Sequence, residues 1–124
     1  MIVAVDSSAI AAALDGMRDR SLTLLRQALR EKRAHVSPVV ITELTSNPRI
    51  SEGARDLFAL LPRLTFHNGY WERAGLLRAG LLALKVRAFI PDVLIAQSCI
   101  DHDIPLITYD RDFRHFERAG LRLL

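Results

Sequence analysis

The chain holds one cysteine, Cys99, among 124 residues. That excludes an internal disulfide and fits a reducing compartment. Cys99 lies in the apolar stretch Ile95–Ile100, where a buried, inert thiol is expected rather than a nucleophile. Long hydrophobic runs are also missing. The apolar opening Met1–Val5 is closed by Asp6 and has no basic segment before it, so it does not read as a secretory signal. No stretch approaches the length that spans a bilayer. The expectation is a cytoplasmic protein with no membrane attachment. Internal repeats, low-complexity segments and linkers are absent too. Residues 1–124 therefore read as a single domain, with any site built on its one core.

Lysine is scarce: of 17 basic residues only Lys32 and Lys85 are lysine, and the rest are arginine. Arginine suits bidentate contact with phosphate. The net charge is +3, which a solvated surface explains as well as a nucleic-acid partner does.

What is present is an alternation of elements. Ile2–Val5 is a continuous apolar run, as in a strand covered on both faces. Asp6-Ser7-Ser8 offers caps for a helix over Ala9–Leu14. Leu22–Arg33 is amphipathic, with Leu22, Leu25, Ala28 and Leu29 on one face. Ala34–Val36 reads as a short strand. Ser37-Pro38 starts a helix that carries Val39–Leu44 and stops near Asn47-Pro48. Ser51–Leu61 is helical and ends at Pro62. Leu64–Phe66 reads as a strand, and a leucine-rich helix runs from Asn68 or Gly69 to about Lys85. Pro91 starts a helix over Asp92–His102. Pro105–Tyr109 is a strand, Phe113–Ala119 a helical turn or two, and Leu121–Leu124 a last strand. This order predicts an α/β fold: an open, mostly parallel sheet with helices on both faces.

The carboxylates stand out in that frame. Asp6 follows the first strand directly, and Asp110 follows the strand ending at Tyr109. In a parallel sheet both emerge at the carboxyl edge, where open α/β sheets bind ligands. Glu43 shares a helical face with Val39 and Val40, and Asp92 shares one with Ile95, Ala96 and Cys99. Each acid also has a structural explanation. Asp6 can cap a helix, Asp92 can answer a helix dipole, Asp110 can sit in a turn, and Glu43 can pair with an arginine. Taken together these explanations are strained. Two like charges about 5 Å apart repel by roughly 3 kcal/mol at an effective dielectric near 20, against a typical total stability of roughly 5–15 kcal/mol. Converging acids need shared protons or a cation, and oxygen ligands favour Mg²⁺ or Mn²⁺. Zinc fits less well, since His35, His67, His102 and His115 show no ligand spacing.

The same residues carry a family resemblance. Val3-Ala4-Val5-Asp6-Ser7-Ser8 resembles the opening motif of PIN domains. Thr42-Glu43-Leu44 resembles their helical glutamate, and Ile90-Pro91-Asp92-Val93-Leu94-Ile95-Ala96 their third acidic motif. Leu106-Ile107-Thr108-Tyr109-Asp110-Arg111-Asp112-Phe113 resembles their last. Ser7-Ser8 stands where a threonine-serine pair is common, and Arg87-Ala88-Phe89 replaces a smaller approach to the third motif. The chain as a whole resembles the VapC-type toxins of toxin–antitoxin pairs.

The resemblance implies a Mg²⁺- or Mn²⁺-dependent endoribonuclease. Asp6, Asp92 and Asp110 would be metal ligands, Glu43 and Asp112 would complete the site or orient water, and Ser8 and Thr108 would be supporting hydroxyls. It further implies a homodimer, an antitoxin partner laid over the active-site groove, and an RNA substrate such as tRNA or another structured RNA. The leucines from Leu76 to Leu84 are either a docking face or plain core.

Three rival readings stand beside it. Arg30 and His35 have the arginine–x4–histidine spacing of HEPN ribonucleases, which need no metal but resemble a helical bundle. A non-catalytic PIN-like or receiver-like module would bind protein or RNA; a receiver-like one should show paired acids after its first strand, and a degenerate PIN domain should have lost acids. Nothing in the sequence excludes DNA as the substrate.

Overall fold

The computed structural model describes residues 1–124. The sheet has three parallel strands: β1 (Val3–Val5), β2 (Ala34–His35) and β3 (Leu106–Ile107), in the order β2-β1-β3. Val3, Ala4 and Val5 are all buried, so the central strand is covered on both faces, as its unbroken apolar run requires. Six α-helices surround the sheet: α1 (Ser7–Leu14), α2 (Arg20–Arg30), α3 (Pro38–Thr45), α4 (Glu52–Leu60), α5 (Tyr70–Ala83) and α6 (Ile90–His102). A 3-10 helix, Arg111–Ala119, follows β3. The expected α/β architecture is what forms, and a helical bundle is not.

Two predicted strands shrink to single bridges. Leu64–Phe66 is represented by a parallel bridge of Arg63 to Val36, and Leu121–Leu124 by one of Leu123 to Leu106. Both lie at the outer edges of the sheet, where short pairing leaves little exposed ladder for another chain to extend. Phe113–Ala119 was expected as a turn or two of helix; it is the body of the nine-residue 3-10 helix, anchored by buried Phe113 and Phe116.

Helix starts follow the local chemistry. Asp6 caps α1 by accepting from the Ala9 amide, Asp19 caps α2 through Leu22, and Ser51 caps α4 through Ala54. Gly69 enters α5 with φ +79°, a conformation that disfavours side chains, and a Cβ there would come within 2.8 Å of the Arg73 guanidinium.

Helices α5 and α6 are bound side by side. Arg73 grips Asp101 with two bonds, Nε to Oδ1 at 3.1 Å and Nη2 to Oδ2 at 2.5 Å, and Gln97 donates to Asp101 at 2.9 Å. Burial acts against the Asp101 charge, but those bonds outweigh it and hold the carboxyl below its usual range. The buried Tyr70 donates its hydroxyl to the Leu94 carbonyl at 2.6 Å, and Arg78 donates to the Ala88 carbonyl at 2.8 Å. These contacts fix where α6 begins.

The leucine stripe divides. Leu81 belongs to the core, whereas Leu76 is 73% exposed and Leu82 and Leu84 are also open. Core packing accounts for Leu81 and partly for Leu77, not for the stripe as a whole. Cys99 is buried as expected, and burial pushes its thiol up to about 12, which keeps it protonated and unreactive.

Candidate active site

The chain leaves β1 toward β2 on one side and later returns through β3 on the other. A crevice therefore opens between β1 and β3 at their carboxyl ends, the position where parallel sheets hold ligands. Val5 pairs with Ile107 in register, so the next residues, Asp6 and Thr108, face each other across that crevice.

Asp6 is the buried anchor, with 3% of its surface exposed. Its Oδ1 accepts from the Ala9 amide at 3.0 Å and from Ser8 Oγ at 2.8 Å, and its Oδ2 accepts from Thr108 Oγ1 at 2.5 Å. Each hydroxyl has one proton and gives it to Asp6. Each then accepts from the loop beyond β3: Ser8 from the Tyr109 amide and Thr108 from the Asp110 amide, both at 3.0 Å. Ser8 and Thr108 thus tie the two strand ends together through a single carboxylate. Burial raises the Asp6 pKa above its ordinary value, and the bonds from Thr108, Ala9 and Ser8 oppose that rise. Capping α1 and serving the site are one placement here, since the cap uses only Oδ1.

In front of Asp6 lie Asp92, Asp110 and Asp112. One carboxylate oxygen from each falls within 4.8 Å of the other two. Asp92 comes from the first turn of α6, behind the proline at its start. Asp110 caps the 3-10 helix by accepting from the Asp112 amide at 2.9 Å, which holds both acids on one turn. Glu43 reaches the site from α3, and Ser7 Oγ donates to its Oε1 at 3.3 Å. Asp92 and Glu43 are half-buried rather than enclosed in the core.

The electrostatics fit this crowding. Burial pushes the Asp92 carboxyl up to about 6, with Asp110, Glu43, Asp112 and Asp6 adding repulsion. Glu43 is raised by burial, against its Ser7 bond, with further repulsion from Asp6 and Asp110. No lysine, arginine or histidine forms an ion pair with any of the five acids. Hard carboxylate oxygens, without a cysteine or histidine among the clustered groups, are the donor set of Mg²⁺ or Mn²⁺. The residues present fit such an ion.

Of the five acids named from the sequence, Asp92, Asp110 and Asp112 cluster, while Asp6 and Glu43 lie outside that set, near enough to add repulsion to Asp92. The tightest set is Asp92, Asp110 and Asp112, with Asp6 set behind it on its hydroxyl bonds. Ser7 was passed over in the sequence as a motif departure; its place beside the strand-end aspartate was the only available signal. Arg30 and His35 form no catalytic pair. Arg30 is exposed at the end of α2, while His35 lies in β2 with its Nδ1 3.4 Å from the Arg33 carbonyl.

A sequence model described as the PIN domain matches residues 3–119. The fold is similar to that in the crystal structure of VapBC2 from Rickettsia felis bound to a fragment of promoter DNA. That match has a TM-score of 0.77 at 21% identity, covering 100% of this chain and 98% of that one. It is similar to DNA-bound VapBC from Salmonella typhimurium, with a TM-score of 0.71 at 20% identity and coverage of 100% and 98%. A third likeness is to VapBC-5 from Mycobacterium tuberculosis, of the VapBC family of toxin–antitoxin systems, with a TM-score of 0.67 at 19% identity and coverage of 99% and 95%. A comparison with curated proteins finds no match.

Proposed function

Because the chain belongs to the PIN domain family, we propose that its carboxylate crevice is the active site of a Mg²⁺- or Mn²⁺-dependent endoribonuclease, the toxin of a toxin–antitoxin pair. The observation that carries this reading is the convergence of Asp92, Asp110 and Asp112 in front of the buried Asp6. Asp6, Asp92 and Asp110 would hold the ion directly or through water. When bound, the ion supplies an acidified water and offsets charge on the scissile phosphate. Asp112 and Glu43 complete the site or accept hydrogen bonds from water within it. Ser8 and Thr108 fix the Asp6 oxygens so that the carboxylate does not rotate away.

Hydrolysis by water needs no 2′-hydroxyl nucleophile. The products carry 5′-phosphate and 3′-hydroxyl ends, and the substrate is a structured RNA such as tRNA. The structural neighbours are complexes of VapBC systems, which supports an antitoxin partner for this chain. A homodimer is proposed as well, and light scattering giving a monomer mass at high concentration would refute it.

The test of activity is cleavage of cellular RNA by the purified chain with Mg²⁺ or Mn²⁺, with EDTA, and with Asp6→Asn. The reading expects metal-dependent cuts with 5′-phosphate ends that vanish in the variant. EDTA-resistant cuts leaving cyclic phosphates would overturn it.

A further inference from the structure

Two grooves open beside the carboxylates, and they differ in charge. One, of about 570 Å³, runs past Ser7, Ser8 and Glu43 between α1, α3 and α4. Its ionisable lining is Asp15 and Glu43 against Arg49. The other, of about 370 Å³, begins at Thr108 and Asp110 and is lined by Arg111, Arg114, Glu117 and the first turn of α2 at Ser21. The second groove thus carries two arginines against Asp110 and Glu117, where the first carries one against Asp15 and Glu43.

Those arginines are uncommitted. The ion pairs of the chain join Arg33 to Glu31, Arg73 to Asp101 and Arg122 to Asp103. Arg111 and Arg114 are exposed and make no side-chain hydrogen bond, even though Glu117 is on the same 3-10 helix. Their backbone is nonetheless fixed. Phe113 and Phe116, buried between them and beyond, pin the 3-10 helix to the core. Tyr109, on the groove wall, is held by its amide on Ser8 and its hydroxyl on Asp19. Two free guanidinium groups on one fixed wall, directly following a carboxylate of the site, suit charge-assisted contact with phosphate oxygens.

We propose that Arg111 and Arg114 form a phosphate-binding track that holds the RNA strand on the β3 side of the scissile bond. The assignment rests on the nuclease reading above and adds the path of the substrate. The arginines position the strand and take no part in proton transfer. Removing them weakens binding and raises KM, with kcat little changed.

The test measures fluorescence polarisation of a short labelled single-stranded RNA of randomised sequence, in Mg²⁺. The uncleaving Asp92→Asn chain is the background, and Arg111→Ala/Arg114→Ala is compared with Arg49→Ala in the opposite groove. The track predicts about tenfold or greater loss of affinity for the double variant, since bonds to charged groups are the stronger ones. It also predicts a slope of log affinity against log salt shallower by about 1.4, for two phosphate contacts on a single strand. Circular dichroism checks that the fold is kept. Unchanged affinity and slope, or a loss confined to Arg49→Ala, would overturn the track while leaving the nuclease reading standing. Displacement by polyglutamate as effective as by unlabelled RNA would assign the groove to an acidic protein segment instead. A parent chain that neither binds nor cleaves RNA would overturn both readings at once.

Discussion

Asp92 carries the clearest cost at the scale of single residues. Its carboxyl is pushed up to about 6 by burial and by four neighbouring acids. The folded chain therefore binds this proton more tightly than the unfolded chain, whose value lies near the ordinary 3.8. Between those values the folded state holds more protons, so the metal-free protein loses stability as pH rises from about 4 to about 6. Asp6 and Glu43, also raised, act in the same direction. Asp101, which is lowered, contributes stability present above its unfolded value and lost only at more acid pH. Thermal unfolding of the EDTA-treated chain should show a higher Tm at pH 5 than at pH 7.5. A higher Tm at pH 7.5 would contradict the crowded site.

By the same repulsion Asp92→Asn should be stabilising without metal and, on the proposed nuclease reading, should abolish cleavage, the trade that functional sites commonly show. Ser8→Ala is milder. It removes one donor to Asp6 and the acceptor for the Tyr109 amide, and should weaken metal affinity or activity by about 10–100-fold, the range for groups that orient ligands. Of these residues, the strand-end aspartates could be named from the sequence because residues that follow parallel strands emerge at one edge, although each also caps the helix after it. The bond from Ser7 to Glu43 required α3 to be laid beside α1, and the bond from Thr108 to Asp6 the register of β1 and β3, neither of which a single segment encodes.

Among the elements, the 3-10 helix matters most, because it presents Asp110, Asp112, Arg111 and Arg114 together. Its hold on the core is Phe113 and Phe116, whose rings lie 5.8 Å apart. Phe113→Ala should destabilise the chain by about 3–5 kcal/mol, the usual cost of emptying a buried aromatic site. Urea unfolding would measure it, and a change under 1 kcal/mol would mean the helix is held by something else. Helices were readable from caps and apolar spacing: Pro38 and Pro91 each lie at the starts expected. The edge strands were readable as apolar segments but not in length. A single bridge and a full strand have the same local pattern, and the difference is set by how many backbone groups the neighbouring edge still offers. The α5–α6 pair was invisible as a pair, since Arg73 and Asp101 are ordinary surface charges until the helices are laid side by side.

For the molecule as a whole, the order β2-β1-β3 produces the crevice, and the crevice gathers acids from both ends of the chain. Asp6 and Asp110 are 104 positions apart in sequence, yet Thr108 is hydrogen-bonded to Asp6. No helix is long and apolar enough to cross a membrane. The exposed leucines of α5 and the apolar trough of about 320 Å³ between α5 and α6, lined by Trp71, Leu82 and Ile90, leave a face on which the proposed homodimer can be tested.

The central claim is that the clustered carboxylates are a divalent-cation site. Its most direct test is the Tm of the chain titrated with Mn²⁺ at pH 7.5, beside Asp92→Asn and Asp110→Asn. The account predicts a saturable rise in the parent, equivalent to about 2.7 kcal/mol at a hundredfold excess over Kd, and little or none in either variant. No rise in the parent, or an equal rise in all three, would contradict it.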